Sequence, residues 1–318
     1  MVGIVLLIVS AVIGAGFSTG AELVAFFGAT GLSPWVIAVL VGACIFSIMA
    51  VIVFFERGQF PRARHFFTLV NFSTFVVMAA GIRHIAGTLA LILSLAFCIV
   101  IVFFGFSRVV MVNKYLMFFV LAILLSASLP HFSFDTTPRE QTPRVPRAIY
   151  MAILYAGLNC CILQKLLSRF ANKHSKKQIL VACAVATIIL VLLVGFILTA
   201  IFNSGTTADM PILDISNNFI TRFAVFLCIL TSMVILLDNL VSNEKSFVKN
   251  KFNISIAISL VALGFSFFGF KDILGVVYPI VGGLMILYCF CLLVSGLLRK
   301  DRFVVHDAVD GLQIISDK

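Results

Sequence analysis

Gly14-Ala15-Gly16-Phe17-Ser18-Thr19-Gly20-Ala21-Glu22 sits inside the first hydrophobic segment of the chain. Val2 to Ile13 before it are apolar and helix-compatible apart from Ser10, and Leu23 to Phe27 resume the apolar pattern after it. Each of its glycines lowers helix stability by roughly 1 kcal/mol relative to alanine. A plain membrane anchor has no use for such an interruption, because unpaired backbone groups in hydrocarbon are costly. Non-helical backbone at membrane depth persists only where protein or a water-filled cavity surrounds it. The helix before the break rises about 18 Å, a little over half of a roughly 30 Å hydrocarbon layer. The interruption therefore falls near the bilayer midplane, where discontinuous helices of secondary transporters offer amides and carbonyls to a substrate or ion.

The rest of the composition agrees with a membrane reading. The chain is 62% hydrophobic and only 11% charged over 318 residues, with a mean hydropathy of +1.17. A soluble domain of this length does not reach such values, whereas a polytopic helical membrane protein requires them. The net charge of +10 is spread as short basic clusters between apolar segments. That is a topology signal rather than a footprint for nucleic acid. All eight cysteines fall in apolar segments and read as small packing residues, and the histidines lack metal-ligand spacing. Residues 1–20 lack the basic n-region of a signal peptide, so the first segment is expected to be retained.

Apolar runs predict ten spans, near 2–27, 33–55, 65–82, 85–106, 109–129, 148–168, 178–202, 218–241, 252–270 and 273–298. Only Gly81-Ile82-Arg83-His84, with Gly87 nearby, separates the third from the fourth; read as one long helix, they would change the parity of everything downstream. Charge tests the parity. With the N-terminus inside, 17 of the 23 basic residues fall on the cytoplasmic side and 6 outside, which obeys the positive-inside rule. The largest inner cluster is Lys165, Arg169, Lys173, Lys176 and Lys177, after the sixth span. Both termini are then cytoplasmic. The expected organisation is one transmembrane domain over 1–298 and a short cytoplasmic tail over 299–318. Within that domain, repeat one covers 1–129, an outer loop 130–147 and repeat two 148–298.

The division into repeats rests on a second soft point, Tyr155-Ala156-Gly157-Leu158-Asn159 in span six. Spans one and six run in opposite directions under this topology. Interrupted helices at matching positions of two five-span halves point to an inverted repeat with a central site. The plainer reading of Gly157 is a small-residue contact between packed helices. Four prolines, Pro130, Pro138, Pro143 and Pro146, make the outer loop extended. Pro211 is placed to start a short interfacial helix over the outer entrance, and Pro279 to kink span ten.

The Gly14–Glu22 run resembles the first-helix motif, Gly-Ala-Gly-Phe-Ala-Ser-Gly-Gln-Glu, of the uncharacterised YkvI-type bacterial membrane proteins. Ile153-Leu154-Tyr155 with Asn159, and Tyr278-Pro279-Ile280 with Gly282, also resemble that family, and the similarity extends over nearly the whole chain. Ser18, Thr19 and Ala21 stand where the family pattern has Ala, Ser and Gln. That family in turn resembles the amino acid–polyamine–organocation superfamily, whose members share the LeuT-type five-plus-five inverted repeat. The resemblance implies an all-α polytopic membrane protein of ten transmembrane helices, broken in the first and the sixth. It further implies transport of an amino acid or a related zwitterion or cation in a bacterial cytoplasmic membrane.

Gly14, Gly16, Phe17, Ser18, Thr19 and Gly20 of the first break, with Tyr155, Gly157 and Asn159, form the candidate substrate-binding set. The glycines let backbone approach a ligand, and a helix restart at Thr19 or Gly20 would aim a positive dipole end at the midplane. Glu22 and Asp238 are the acids within the apolar spans. An ionisable group inside a membrane is a functional candidate by default, although Thr19-Gly20-Ala21-Glu22 also reads as a capping box. Asp238 is expected to pair with a lysine or reach the inner surface. Thr231-Ser232 lies midway along span eight. In sodium-coupled proteins of the LeuT type, a tandem Thr-Ser there binds sodium together with first-helix carbonyls; alternatively the hydroxyls simply bond their own helix. Glu22, Thr231 and Ser232 are thus the ion-coupling candidates, for Na+ or H+.

A secondary transporter accounts for the break, the paired halves and the near absence of soluble mass. A channel would need a polar stripe along several helices, and an enzyme a nucleophile or metal cluster; neither pattern appears. No metal or organic cofactor is expected, and the partners are the lipid bilayer and a small-molecule solute. The alternative is a sensor or scaffold built on a transporter-like fold.

Overall fold

A computed structural model describes residues 2–55, 63–131, 144–171, 174–206, 208, 210–241, 248–268 and 277–295. Among them every regular element is helical. The first segment comprises α1 (Val2–Val12), α2 (Ala15–Thr19) and α3 (Ala21–Phe27). There follow α4 (Pro34–Phe55), α5 (Ala63–Phe103), α6 (Phe106–Ser128), α7 (Val145–Ala171), α8 (Lys176–Ser204), α9 (Pro211–Ile215), α10 (Phe219–Val241) and α11 (Val248–Phe265). A last helix, α12, spans Val277–Ser295. Among the described residues six helices are long and apolar enough to cross a membrane: α4, α5, α7, α8, α10 and α12.

The chain is a multi-pass membrane protein, and its two surfaces show why. Its outer face carries Leu89 at 72%, Phe118 at 72% and Phe219 at 80% exposure. In water such an apolar surface would aggregate, while in a bilayer the lipid tails solvate it. The polar residues are turned inward: Ser10, Ser18, Thr19, Glu22, Asn159, Thr231 and Ser232 are all buried. This inside-out pattern places the hydrogen-bonding groups where protein, not lipid, satisfies them.

Helix α4 packs extensively on both α7 and α8, and α5 and α6 pack on α10. Helix α1 lies among α6, α7, α8 and α10, so the interrupted segment is enclosed on all sides. Eleven residues of α1 are too few to span a bilayer alone; neighbouring helices supply its surroundings.

Several expectations need correction. Arg83 and His84 do not separate two spans. The helix runs through them, and the single non-helical residue within α5 is Gly87 (φ 84°, ψ 175°). That region of backbone space is essentially closed to residues with a Cβ, so glycine marks the division, between 63–86 and 88–103. Span six is not unwound: α7 is continuous from Val145 to Ala171. Pro279 lies in the first described turn of α12, and the stretch 269–276 before it, on which the expected kink depends, lies outside the described residues. Pro130 stands in a 3-10 turn at Leu129–His131 and Pro146 in the first turn of α7. Pro138 and Pro143, and the tail 299–318, lie outside the described residues. Six of the eight cysteines are buried and all are free thiols.

Candidate functional site

The break in the first segment has two joints, with a helical turn between them. At the first joint Gly14 N donates to Val12 O at 2.9 Å instead of to Ser10 O, as a continuing α-helix would require. Ser10 O is thereby released. The second joint is Gly20, in the left-handed region at φ 79°, which closes α2 and opens α3. The expected centre near Phe17 is therefore helical; Phe17 itself is fully buried. Glycine is needed at residue 20 for its positive φ, since a Cβ there is strained by about 1–2 kcal/mol.

The carbonyls released at the first joint meet α10. Ser232 Oγ lies 3.0 Å from Ser10 O, 2.9 Å from Ile13 O and 3.1 Å from Cys228 O. One hydroxyl proton serves one acceptor at a time. Three carbonyl oxygens around a single donor make an acceptor-rich cluster, the chemistry that suits a hard cation. Thr231, in contrast, stays within its own helix and donates to Cys228 O at 2.8 Å. Ser18 lies within hydrogen-bonding reach of the Cys228 thiol, and Thr19 Oγ1 donates to Gly16 O at 3.3 Å. Gly14 is covered by Met78 of α5.

Glu22 does not form the expected capping box. Gly20 occupies the N-cap of α3, with no side-chain cap hydrogen bond; Thr19 Oγ1 accepts from Ala21 N at 3.4 Å. The Glu22 side chain instead folds back onto Gly16, where a Cβ would collide with its carboxyl. It is 3% exposed. The hydroxyl of Tyr278, from α12, is set against this carboxyl but stops short of full hydrogen-bond geometry.

Tyr155 brings α7 to the same place. It packs edge-on against Phe26 and Phe27 of α3, with ring centroids at 5.3 and 5.6 Å. Its hydroxyl is buried without a hydrogen bond of good geometry and lies within electrostatic reach of the Glu22 carboxyl. Asn159 donates to Tyr155 O at 2.9 Å, which keeps its amide within α7. Gly157 serves packing: a Cβ there would lie 2.5 Å from Gly282 O of α12. The small-residue reading of this position is the one observed.

The second joint is covered by α9. A Cβ on Gly20 would sit 2.6 Å from Ile201 Cδ1, 3.4 Å from Ile212 and 3.5 Å from Pro211, so α8 and α9 together roof the second joint. Asp238 pairs with Arg169 of α7, and Lys165 Nζ donates to Asn239 O. The structure thus unites Gly16, Glu22 and Tyr155, separately places Ser232 on the first joint, and leaves Thr231 and Gly157 in local roles. Sequence reasoning missed Tyr278 as a site residue. Its only signal was membership in the Tyr-Pro-Ile motif. Compared with protein-family models and with curated proteins, the chain matches none.

Proposed function

We propose that this chain is a cation-coupled secondary transporter of a small solute, an amino acid or a related zwitterion or cation. It works by alternating access around the interrupted first segment. The observation that carries this reading is the convergence of Ser10 O and Ile13 O, freed by the break, on Ser232 of α10. A backbone interruption that exposes carbonyls to a buried hydroxyl has no role in a passive anchor. It is what a midplane ion site requires.

The packing also supports ten spans in two inverted halves of the LeuT type, with the Gly87 division giving spans three and four. In such a repeat, contacts recur in equivalent pairs. Span two against seven (α4 on α8) is its own equivalent and is extensive, and α5, which holds spans three and four, packs as extensively on span eight (α10). Span one against five (α1 on α6) corresponds to six against ten, where Gly157 of α7 meets Gly282 of α12. The proposed setting is a bacterial cytoplasmic membrane with both termini inside, a single transmembrane domain over 1–298 and a tail over 299–318.

The test is uptake of labelled amino acids and amines into proteoliposomes under an imposed sodium or pH gradient. Accumulation against a gradient is expected in wild type. It should vanish in Gly16→Leu, which stays membrane-inserted but fills the space of the Glu22 carboxyl. Failure of wild type to accumulate any of these solutes would favour a sensor or scaffold instead.

A further inference from the structure

Glu22 is a carboxyl group with nowhere to put a charge. Among the described residues no lysine, arginine or histidine pairs with it. The basic side chains of the core are engaged elsewhere: Arg83 donates to Ser266 O, Lys165 to Asn239 O and Arg169 to Asp238. The titratable groups that reach Glu22 are Tyr155 from α7 and Tyr278 from α12. The other elements at the break bring Met78 from α5, Ile201 from α8 and Ile212 from α9. Among the described residues α10 brings a further titratable group, Cys228, which lies against Ser18. An ionised carboxylate in such surroundings is far costlier than a neutral acid.

The two phenols supply the second observation. Tyr155 is fully buried and Tyr278 is 1% exposed, and neither hydroxyl has a hydrogen-bond partner of good geometry. Buried polar groups are normally partnered, and an exception calls for an explanation. A protonated carboxyl both donates and accepts, and so does a phenol. A protonated Glu22 can complete a neutral hydrogen bond with the Tyr278 hydroxyl set against it, with Tyr155 and its neighbour Asn159 alongside, whereas an ionised carboxylate only accepts. A proton also needs no additional room, and Glu22 already presses on Gly16.

We propose that Glu22, held between Tyr155 and Tyr278, is a proton-binding site that is loaded in this closed arrangement and discharges to water when α3, α7 and α12 part. On loading, an O–H bond forms at a Glu22 carboxyl oxygen with a proton from water; on opening, that proton returns to water and the carboxylate remains solvated. The linkage has a definite sign. Because the closed state holds the proton more tightly, acid favours closure and base favours opening. The transport consequence, a proton exchanged in each cycle, rests on the transporter reading above; the protonation itself does not.

The experiment is infrared spectroscopy of the full chain in lipid bilayers across a pH series, following the C=O stretch of protonated carboxyl groups. Wild type is expected to show a buried carboxyl band that is lost at high pH. Glu22→Gln should abolish that band, while Asp238→Asn should retain it. Tyr278→Phe should shift its frequency and its pH midpoint, because it removes one hydrogen-bonding partner. Superimposable wild-type and Glu22→Gln spectra at every pH would overturn the proposal. Should Glu22→Gln fail to fold, a band left unmoved by Tyr278→Phe would overturn it equally. A titrating Glu22 band in protein that moves no solute would keep the proton site and reject transport.

Discussion

Gly157 and Gly282 meet backbone to backbone where α7 crosses α12, so closely that a Cβ on Gly157 would lie 2.5 Å from the Gly282 carbonyl oxygen. Without a hydrophobic force between helices in lipid, such close approach of small residues is what holds two helices together. The contact also sets the distance of Tyr278, four residues before Gly282, from Tyr155 and Glu22. Gly157→Ala is therefore expected to lower stability by about 1–3 kcal/mol through overpacking, despite alanine's better helix propensity. Gly264→Ala is the control, since a Cβ there meets nothing within 4 Å; it should be neutral or stabilising by up to ~1 kcal/mol. Thermal unfolding in detergent decides, and equal melting temperatures for the two variants would refute the packing role.

The C-terminal ends of α7 and α10 are joined by Arg169 and Asp238, at 22% and 10% side-chain exposure. Removing one partner leaves the other charge poorly solvated, so Arg169→Met or Asp238→Asn alone should cost on the order of 3 kcal/mol. The double variant should recover much of that loss, because no orphaned charge remains. Additive single losses in a double-mutant cycle would mean that the pair contributes nothing.

Part of this architecture was legible from residues alone. Three glycines around Phe17 marked the interruption, because helix propensity and the cost of unpaired backbone in lipid are local matters. Its joints were not legible. The turn between them is helical, and whether Gly14 N bonds Ser10 O or Val12 O depends on α10 and α5 arriving alongside. Gly157 and Asn159 looked like a second interruption, but a glycine reads the same in an unwound helix as in a close crossing. Only the position of Gly282 separates the two. Glu22 looked like a cap because Thr-x-x-Glu is a local pattern; its actual surroundings, Gly16 and the distant Tyr278, are set by tertiary packing. Asp238 likewise needed the register of α7 against α10 before Arg169 emerged as its partner.

Topology is testable without a substrate. In a cysteine-free background, Ser204→Cys at the end of α8 should react with a membrane-impermeant thiol reagent added outside intact cells. Ser175→Cys, the N-cap of α8, should react only after the membrane is opened. A helix of 29 residues separates the two positions, long enough to cross a bilayer with some tilt. Labelling of both from the same side would reject the inside location of the termini and the inverted halves with it.

The two candidate ion sites make separable claims. Ser232 Oγ gathers Ser10 O and Ile13 O at the first joint, whereas Glu22 lies beyond it, against Gly16. If sodium binds at the first joint, Ser232→Ala removes one oxygen ligand and leaves the carbonyls. Affinity for sodium should then fall by about tenfold, roughly 1.4 kcal/mol, read as a higher sodium concentration for half-maximal thermal stabilisation in a potassium-balanced buffer. If Ser232 only ties two helices together, its loss should cost about 1 kcal/mol of stability and leave the sodium dependence where it was. Glu22→Gln gives the complementary result. It should preserve stabilisation by sodium, because glutamine keeps a neutral group of the same shape at Gly16. In proteoliposomes, however, it should abolish stimulation of uptake by an imposed pH gradient, because glutamine cannot release a proton. Uptake that still responds to the pH gradient in Glu22→Gln would remove Glu22 from coupling and leave the Ser232 cluster as the ion site.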